Sequence, residues 1–267
     1  TKVAVYMLYR LYVQLFDLDQ RWNVLIIVIM IISMMIGAFG GLAENSIRRV
    51  LGYQMLNGMP FILVMLAFTS DDPRRALAAG IMYTIHHMLT VGSLILASGA
   101  IEETYGTGLL TKLSGLARRD PIIAWIFAAG AFSVVGFPPF SGMWGKLMIV
   151  FEIARVGGAW AWIAIAAIII ASFAAFLAML RVWRKVFWGK GLPEDKVPDE
   201  LIIRKKLMAP SAALILGSLC MFIFSGIVLD VVDSASEQLL DTTAYTETVL
   251  GDEPIAVPNI DEIQEGR

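Results

Sequence analysis

The sequence predicts an all-α polytopic membrane protein with about eight transmembrane helical segments, including one that is broken by prolines. Of its 267 residues, 58% are hydrophobic and only 16% are charged, and the mean hydropathy is +0.72. These values lie outside the range of soluble globular domains. A helix needs about 20 apolar residues to cross a bilayer. Three segments are long enough without interruption: 23–43, 159–180 and 207–229.

The remaining predicted helices are shorter or carry a few polar residues. The segment 3–16 is too short to cross a bilayer, so we expect it to be the second part of a helix that begins earlier. The chain opens on Thr1 rather than on methionine, and we expect it to be a fragment of a longer protein. Four more segments are predicted to form helices with a partly polar lining: 49–69, 76–100, 121–136 and 142–153.

A proline motif separates the last two of these segments. Residues 137–142 have the sequence FPPFSG, in which Pro138 and Pro139 lack backbone donors and disfavour a helical residue before them. Non-helical backbone at membrane depth is tolerated where protein buries it or where it lines a wet cavity, as in the broken helices of transporters. We therefore predict a helix break at Pro138, Pro139 and Gly142. A tight loop between two ordinary spans is the alternative.

Lys146 lies four residues beyond this motif, after an uncharged run from residue 122 to residue 145. A charge at such depth costs several kcal/mol in lipid, so it is retained where it faces protein, water or another ionisable group. Glu152 follows six residues later and does not share the helix face of Lys146, so we expect no direct ion pair. Its position makes Lys146 a candidate functional residue.

His86 and His87 are adjacent within the predicted helix 76–100. Neighbouring side chains point about 100° apart on a helix, so the pair cannot chelate one metal ion as an i, i+4 pair would. A buried imidazole can pass protons along a chain of polar groups. For His86 this role and that of a hydrogen-bonded structural histidine are equally favoured, whereas for His87 we favour proton transfer.

Lys2 precedes a mostly apolar helix, and Tyr6 and Tyr9 share its face at i+4 and i+7. It is a second candidate for a buried lysine. The alternative is that Lys2 has only a terminal position.

Polar residues also mark the predicted helix 49–69. Arg48 and Arg49 lie at its boundary, where arginines usually extend towards the lipid headgroups. Gln54 and Asn57 lie deeper and three residues apart, which predicts a wet or helix-facing side.

Several classes of function are disfavoured by composition and motifs. The net charge of −2 gives no reason to expect a nucleic-acid partner. The single cysteine, Cys220, excludes an intramolecular disulfide and a thiolate metal cluster. The sequence has no glycine-rich phosphate loop, nucleophile elbow, CxxC or HExxH motif, so we expect no enzymatic chemistry, no cofactor and no metal site.

The lysines and arginines in the loops between helices predict how the protein is oriented in the membrane, because cytoplasmic loops carry an excess of both residues. We assume that the helices before and after the proline break each cross the membrane, so that the chain changes side at the break. Most of these residues then fall on one side, which we predict to be cytoplasmic. The first group is Arg21, Arg74, Arg75, Arg181, Arg184, Lys185, Lys190, Lys196, Arg204, Lys205 and Lys206; the second is Arg48, Arg49, Lys112, Arg118, Arg119, Arg155 and Arg267.

Five motifs in order resemble one family. They are KVAVYMLYR at 2–10, RRVLGY at 48–53, IHHML at 85–89, LSGLARR at 113–119 and GFPPFSGMWGK at 136–146. Together they resemble the antiporter-like membrane subunits shared by Mrp-type multisubunit sodium/proton antiporters and respiratory complex I. The double histidine is most similar to that of the D-type Mrp antiporter subunits. The resemblance covers nearly the whole chain up to about residue 232.

The resemblance implies a fold of fourteen transmembrane helices with two inverted repeats of five, of which this chain would be the C-terminal half. The implied parts are the end of the first repeat at 1–48, with a truncated seventh helix and the eighth, and the second repeat at 49–188, with its broken helix at 137–146. A loop at 189–206 and a final transmembrane helix at 207–232 follow. The predicted orientation makes the basic loop cytoplasmic and the acidic tail at 233–267 external, and the charge of the tail predicts that it is disordered.

The resemblance also implies a proton path. Its members would be Lys2, His87 and Lys146, with Arg48 in place of a usual lysine and His86 in secondary roles. The function implied is that of a proton-translocating subunit of a monovalent cation (Na⁺)/H⁺ antiporter in the cell inner or plasma membrane. Its partners would be the A, B, C, E, F and G type subunits, membrane lipid, protons and Na⁺. The alternatives are a proton-pumping subunit of complex I or a related membrane hydrogenase, and a membrane scaffold.

Two positions depart from the pattern of the family. Many relatives have a lysine four residues after the histidine pair, where this chain has Val91, and the usual serine-histidine or serine-glutamine of the ninth helix is Asn57-Gly58 here. The first departure removes a titratable group, so proton transfer in this half would depend on His87, water and Lys146.

Overall fold

A computed structural model describes residues 2–190 and 201–243, which contain ten α-helices and no β-strand. The helices are α1 Lys2–Gln14, α2 Asn23–Ala43, α3 Ile47–Leu63, α4 Pro73–Tyr105, α5 Leu116–Arg119, α6 Pro121–Val135, α7 Ser141–Val156, α8 Gly158–Val182, α9 Lys205–Ile223 and α10 Ser225–Leu240. A 3₁₀ turn at Val64–Ala67 extends α3, and a π-helical turn at Trp183–Phe187 extends α8. Most of the predicted loop at 189–206, and the tail beyond residue 243, lie outside the described residues.

Five helical segments are long and apolar enough to cross a membrane, which agrees with a polytopic all-α protein. They are Gln20–Ala43, Ile47–Ala67, Pro73–Tyr105, Gly158–Phe187 and Lys205–Ile223. The helix Pro121–Val135 is apolar but shorter.

Local sequence sets the ends of the helices that build the interior. Asp72 caps α4 by accepting a hydrogen bond from the Arg75 N–H at 3.2 Å, and Pro73 follows as the first helical residue. Gly106 ends the same helix in the left-handed conformation. This gives α4 a length of 33 residues, so it extends beyond the predicted segment 76–100.

The proline motif forms a break between α6 and α7. Helix α6 ends at Val135, the next five residues are not helical, and α7 begins at Ser141. Pro138 and Pro139 lie within the break, and the peptide bond between them is cis. Gly142 belongs instead to the first turn of α7. The prediction that Gly142 forms part of the break is therefore wrong.

Contacts between helix ends show that α6 and α7 together cross the bundle once. Arg181, at the end of α8, donates to the carbonyl oxygens of Leu42 and Glu44 at 2.7 and 2.6 Å, beyond the end of α2. At the opposite end of the bundle, Arg74 pairs with Glu237 at 3.7 Å.

The predicted grouping of basic residues is wrong because it counted the break as a change of side. In the structure Arg181 lies at the same end as Arg48, whereas Arg74 lies at the other end. One end carries Arg48, Arg49, Lys112, Arg118, Arg119, Arg181, Arg184, Lys185, Lys190, Arg204, Lys205 and Lys206; the other carries Arg21, Arg74, Arg75 and Arg155.

The C-terminal part differs from the predicted single helix and disordered tail. Helix α9 ends at Ile223, and α10 continues to Leu240. Val232, Ser236 and Leu239 are buried, because their i, i+4, i+7 spacing gives α10 a face that packs against α4 and α1. The prediction of a disordered tail from residue 233 is therefore wrong for residues 233–240.

Candidate functional site

Lys146 lies one and a half turns into α7, and its amino group returns across the break to α6. The Nζ atom donates to the carbonyl oxygen of Val135 at 2.7 Å and to the Ser172 hydroxyl of α8 at 3.0 Å. It also lies 5.3 Å from the centre of the Phe61 ring. Carbonyls in the last turn of a helix lack intrahelical partners and carry partial negative charge. Lys146 therefore supplies a donor to the C-terminus of the preceding half-helix.

A buried group of hydroxyls surrounds the same break. We call Thr90, Ser133, Ser141 and Ser218, together with His86, the hydroxyl cluster; none of them is more than 1% exposed. The contacts are His86 Nδ1 to Ser141 Oγ at 2.8 Å, Ser141 to Ser218 at 2.7 Å, Ser218 to Ser133 at 3.0 Å, Ser133 to Thr90 at 2.8 Å and Thr90 to His86 Nδ1 at 3.3 Å. The cluster joins both sides of the break to α4 and α9.

The close packing at the start of α7 leaves no room for a side chain at Gly142. A Cβ at this position would lie 1.9 Å from the carbonyl oxygen of Ser133 and 2.8 Å from Cε1 of His86. The absence of a side chain allows the start of α7 to lie directly against α6 and against the imidazole.

His87 points towards α3 rather than towards the hydroxyl cluster. It is 4% exposed, and a Cβ at Gly58 of α3 would lie 1.9 Å from its Nε2. Nε2 makes no hydrogen bond within the described residues. Val91, one turn further along α4, is buried and apolar.

Two aromatic rings lie along the contacts that lead from Lys146 to the histidines. Phe61 stacks on Tyr83 with ring centres 5.3 Å apart. Tyr83 in turn lies 5.2 Å from the ring of His86 and 6.1 Å from that of His87. Because Lys146 contacts the Phe61 ring, this stacked pair connects the lysine to the histidines through a continuous series of contacts.

Lys2 contacts the same turn of α3. Its Nζ lies 3.8 Å from Sδ of Met59. The side chain lines a pocket of about 340 Å³ with Tyr6 and Tyr9 of α1, and α10 contributes Gln238 to this pocket. Helix α10 therefore closes the surroundings of Lys2.

The three residues predicted for the proton path meet on one short stretch of α3. His87 abuts Gly58, Lys2 contacts Met59 and Lys146 faces Phe61. Residues 58–61 of α3 thus form the common surface of the candidate site.

Arg48 is not brought to this surface. Its guanidinium pairs with Glu102 at the end of α4, with Nε 3.0 Å from Oε2, and its side chain is 62% exposed.

Sequence reasoning did not identify the hydroxyl cluster or Ser172. The available signal was weak, because single serines and threonines are common in membrane helices. The most informative feature of the sequence was that Ser133 and Ser141 lie on either side of the proline break.

The fold and this interior define a multi-pass α-helical membrane protein with buried histidines and partly buried lysines around a broken helix. Residues 1–176 match the model of the family "NADH:quinone oxidoreductase/Mrp antiporter, TM". The chain belongs to this family.

Two relatives and one solved structure illustrate its similarities. The chain is 31% identical over 252 residues to the D subunit of the Na⁺/H⁺ antiporter of Bacillus subtilis (strain 168), covering 94% of this chain and 49% of the relative. It is 29% identical over 202 residues to the N subunit of the NADH-quinone oxidoreductase of Hydrogenovibrio crunogenus, covering 74% and 41% respectively. A chain in the structure of the Mrp complex from Dietzia sp. DQ12-45-1b superposes with a TM-score of 0.86 at 31% identity, over 94% of this chain and 53% of that one. The chain spans about half the length of the curated relatives it matches.

Proposed function

We propose that the chain is the C-terminal half of a proton-translocating subunit of a multisubunit monovalent cation (Na⁺)/H⁺ antiporter. The observation that carries the proposal is the partly buried amino group of Lys146, which crosses the helix break to Val135 and Ser172. The names of its relative in Bacillus subtilis and of the Dietzia complex support the antiporter. The protein would act as a transporter subunit without enzymatic chemistry of its own.

The proposed architecture is one half of a fourteen-helix, inverted-repeat fold. Its eight helical segments would be α1, α2, α3, α4, α6, α7, α8 and α9. They would cross the membrane seven times, because α6 and α7 share one crossing, and α1 would be the rest of a truncated seventh helix. Residues 1–48 would end the first repeat, and 49–188 would form the second, in which α6 and α7 act as one broken helix. The final segment would be α9, while α10 would lie against α4 as an additional helix.

The proposed mechanism uses changes of protonation at Lys2, His87 and Lys146. A protonated Lys146 donates to Val135 and Ser172, and loss of its proton weakens both contacts across the break. A change in the charge of one group alters the energies of its neighbours, so the populations of the protonation states are coupled. His86 would assist through the hydroxyl cluster, and Arg48 would act only at the surface end of α3.

Passage of a proton between Lys146 and His87 would require the rings of Phe61 and Tyr83 to move or to admit water beside them. The stacked pair would therefore control this step. Sodium movement would be coupled to it elsewhere in the assembly.

The partners proposed are the A, B, C, E, F and G type subunits of the antiporter, in the cell inner or plasma membrane. The end with Arg48, Arg181 and the basic loop would be cytoplasmic, since it carries most of the lysines and arginines. The acidic C-terminal tail would lie outside, because Glu237 lies at the opposite end with Arg74.

Sodium-tolerant growth tests the proposal. Lys146→Ala is placed in the full-length protein, expressed with its partner subunits in a host that lacks antiporters, and we expect growth at high sodium to be lost. Lys112→Ala, at an exposed lysine beyond α4, is the matched control and should grow normally. Normal growth of Lys146→Ala in a correctly assembled complex would contradict the proposal.

The alternative is a proton-pumping membrane subunit of complex I or of a related membrane hydrogenase, which the similarity to the oxidoreductase of Hydrogenovibrio crunogenus favours. Flavin and iron-sulfur absorbance that co-purifies with the complex would decide for this alternative. A membrane scaffold would be indicated if Lys2, His87 and Lys146 could all be replaced without effect on transport.

A further inference from the structure

Three buried polar side chains carry atoms that meet no hydrogen-bond partner within the part of the protein that the structure describes. Gln54, Asn57 and His87 are 2%, 5% and 4% exposed. The unpaired atoms are Nε2 and Oε1 of Gln54, Oδ1 of Asn57 and Nε2 of His87. Buried polar atoms are nearly always hydrogen-bonded, because an unpaired atom loses its contacts with water without replacement. Four such atoms therefore require an explanation.

These atoms belong to one place in the fold. Positions 54, 57 and 58 share a face of α3 at i, i+3 and i+4, within about one helical turn. The His87 ring reaches this face at Gly58, where a Cβ would lie 1.9 Å from Nε2. The main chain of Gln54 also lies close enough to interact with the imidazole, although Nε2 forms no hydrogen bond of ordinary geometry.

Helix α2 covers the same face with glycines. A Cβ at Gly41 would lie 3.4 Å from Nε2 of Gln54, and one at Gly37 would lie 2.5 Å from the backbone nitrogen of Asn57. Glycine has no side chain, so α2 offers Gln54 and Asn57 no side-chain donor or acceptor at these points. The described residues therefore supply no partner for the unpaired atoms, which leaves a small molecule from solvent.

We propose that Gln54, Asn57 and His87 form a water-binding site where α2, α3 and α4 meet. The Gln54 amide can donate and accept, the Asn57 oxygen accepts, and Nε2 of His87 does either according to its protonation. A buried water molecule needs two to four such partners. The three residues include no carboxylate to neutralise a sodium ion, and an unneutralised ion is costly in an apolar interior. The site therefore takes water and delivers it to His87.

High-resolution cryo-EM of the assembled full-length complex tests the site directly. Samples in sodium and in rubidium buffers should both show density within hydrogen-bond distance, about 2.7–3.2 Å, of at least two of the four unpaired atoms. Equal density in the two buffers identifies water. A site without density, or one whose density increases in rubidium, would overturn the proposal.

Variants test what the water does, and this second part rests on the function proposed above. Asn57→Leu and Gln54→Leu remove the polar partners, and proton transfer by the reconstituted complex should decrease by about tenfold or more. Asn57→Ser keeps a polar group and should retain most of the rate. Leu56→Met, at a residue of α3 that is 41% exposed, is the matched control and should transport normally.

The His87→Ala background separates water delivery from a structural role. If the water serves His87, Asn57→Leu adds no further loss there and leaves the remaining pH profile unchanged. An additional tenfold loss in that background would contradict water delivery to His87. If transport proves insensitive to Lys146→Ala while the density at Gln54 and Asn57 is present, the proposed function fails and the water site stands.

Discussion

Lys146 and Val135 lie on opposite sides of the helix break, and the lysine Nζ donates to the valine carbonyl oxygen at 2.7 Å. The lysine thus belongs to one half-helix and stabilises the end of the other. This contact depends on the protonation of Lys146, because a neutral amine is a weaker donor than an ammonium group. A change of charge at this one atom can therefore alter the packing of both halves of the broken helix.

Gly136→Ala should disturb this contact without removing a polar group. Gly136 has φ +102°, and a Cβ there would lie 3.0 Å from Cδ of Lys146. Such a backbone conformation costs an alanine about 1–3 kcal/mol. We expect a lower thermal stability of the assembled complex together with a reduced transport rate. Gly99→Ala, in open space on α4, is the control and should change neither.

Gly58→Ala should displace His87. The added methyl group would lie 1.9 Å from Nε2 and 2.0 Å from Cδ2 of the imidazole, so the ring has to move away from α3. We expect proton-coupled transport to decrease as strongly as it does in His87→Ala, measured in proteoliposomes of the assembled complex.

The matched control for this change lies on the same helix. Gly52 has no atom within 4 Å of an added Cβ. Gly52→Ala should be neutral or should stabilise α3 by up to about 1 kcal/mol, because alanine has the higher helix propensity. Equal transport by the Gly52→Ala and Gly58→Ala variants would show that the position of the imidazole does not limit proton movement.

The class of fold and the lysine beside the helix break were predicted from sequence for one physical reason. Apolar run lengths and the cost of a buried lysine are properties of short segments, so 23–43 and Lys146 could be identified directly. The hydroxyl cluster depends on four helices meeting, and no local pattern specifies that Ser218 faces Ser141. The end of the bundle at which Arg181 lies was wrongly predicted. A proline motif in a sequence does not show whether the chain turns back at the break or continues across the membrane.

The hydroxyl cluster should behave as one coupled unit. Ser141→Ala and Ser218→Ala each remove the same 2.7 Å contact. Buried hydrogen bonds in membrane proteins contribute about 0.6 kcal/mol on average, and neighbouring sites show coupling energies of about 0.5 kcal/mol or more. We expect the double variant to lose less stability than the sum of the single losses in reversible unfolding in detergent.

Ser211 provides the control for this cycle. It lies two turns before Ser218 on α9 and pairs with Ser93 instead, Oγ to carbonyl oxygen at 2.7 Å. Ser211→Ala and Ser218→Ala should therefore be additive. Additive losses in the Ser141 and Ser218 pair would show that the cluster is not cooperative.

The single crossing of α6 and α7 can be tested by labelling from each side of the membrane. In a full-length protein whose native cysteines, including Cys220, are replaced by serine, single cysteines are introduced at Arg48, Lys185, Arg74 and Arg155. An impermeant maleimide should label the first two from the cytoplasmic side and the last two from outside, because Arg181 joins the end of α8 to the end of α2. If the break instead turned the chain back, Lys185 would be labelled from the same side as Arg74. Labelling of Lys185 and Arg48 from opposite sides would therefore contradict the crossing, whichever side is cytoplasmic.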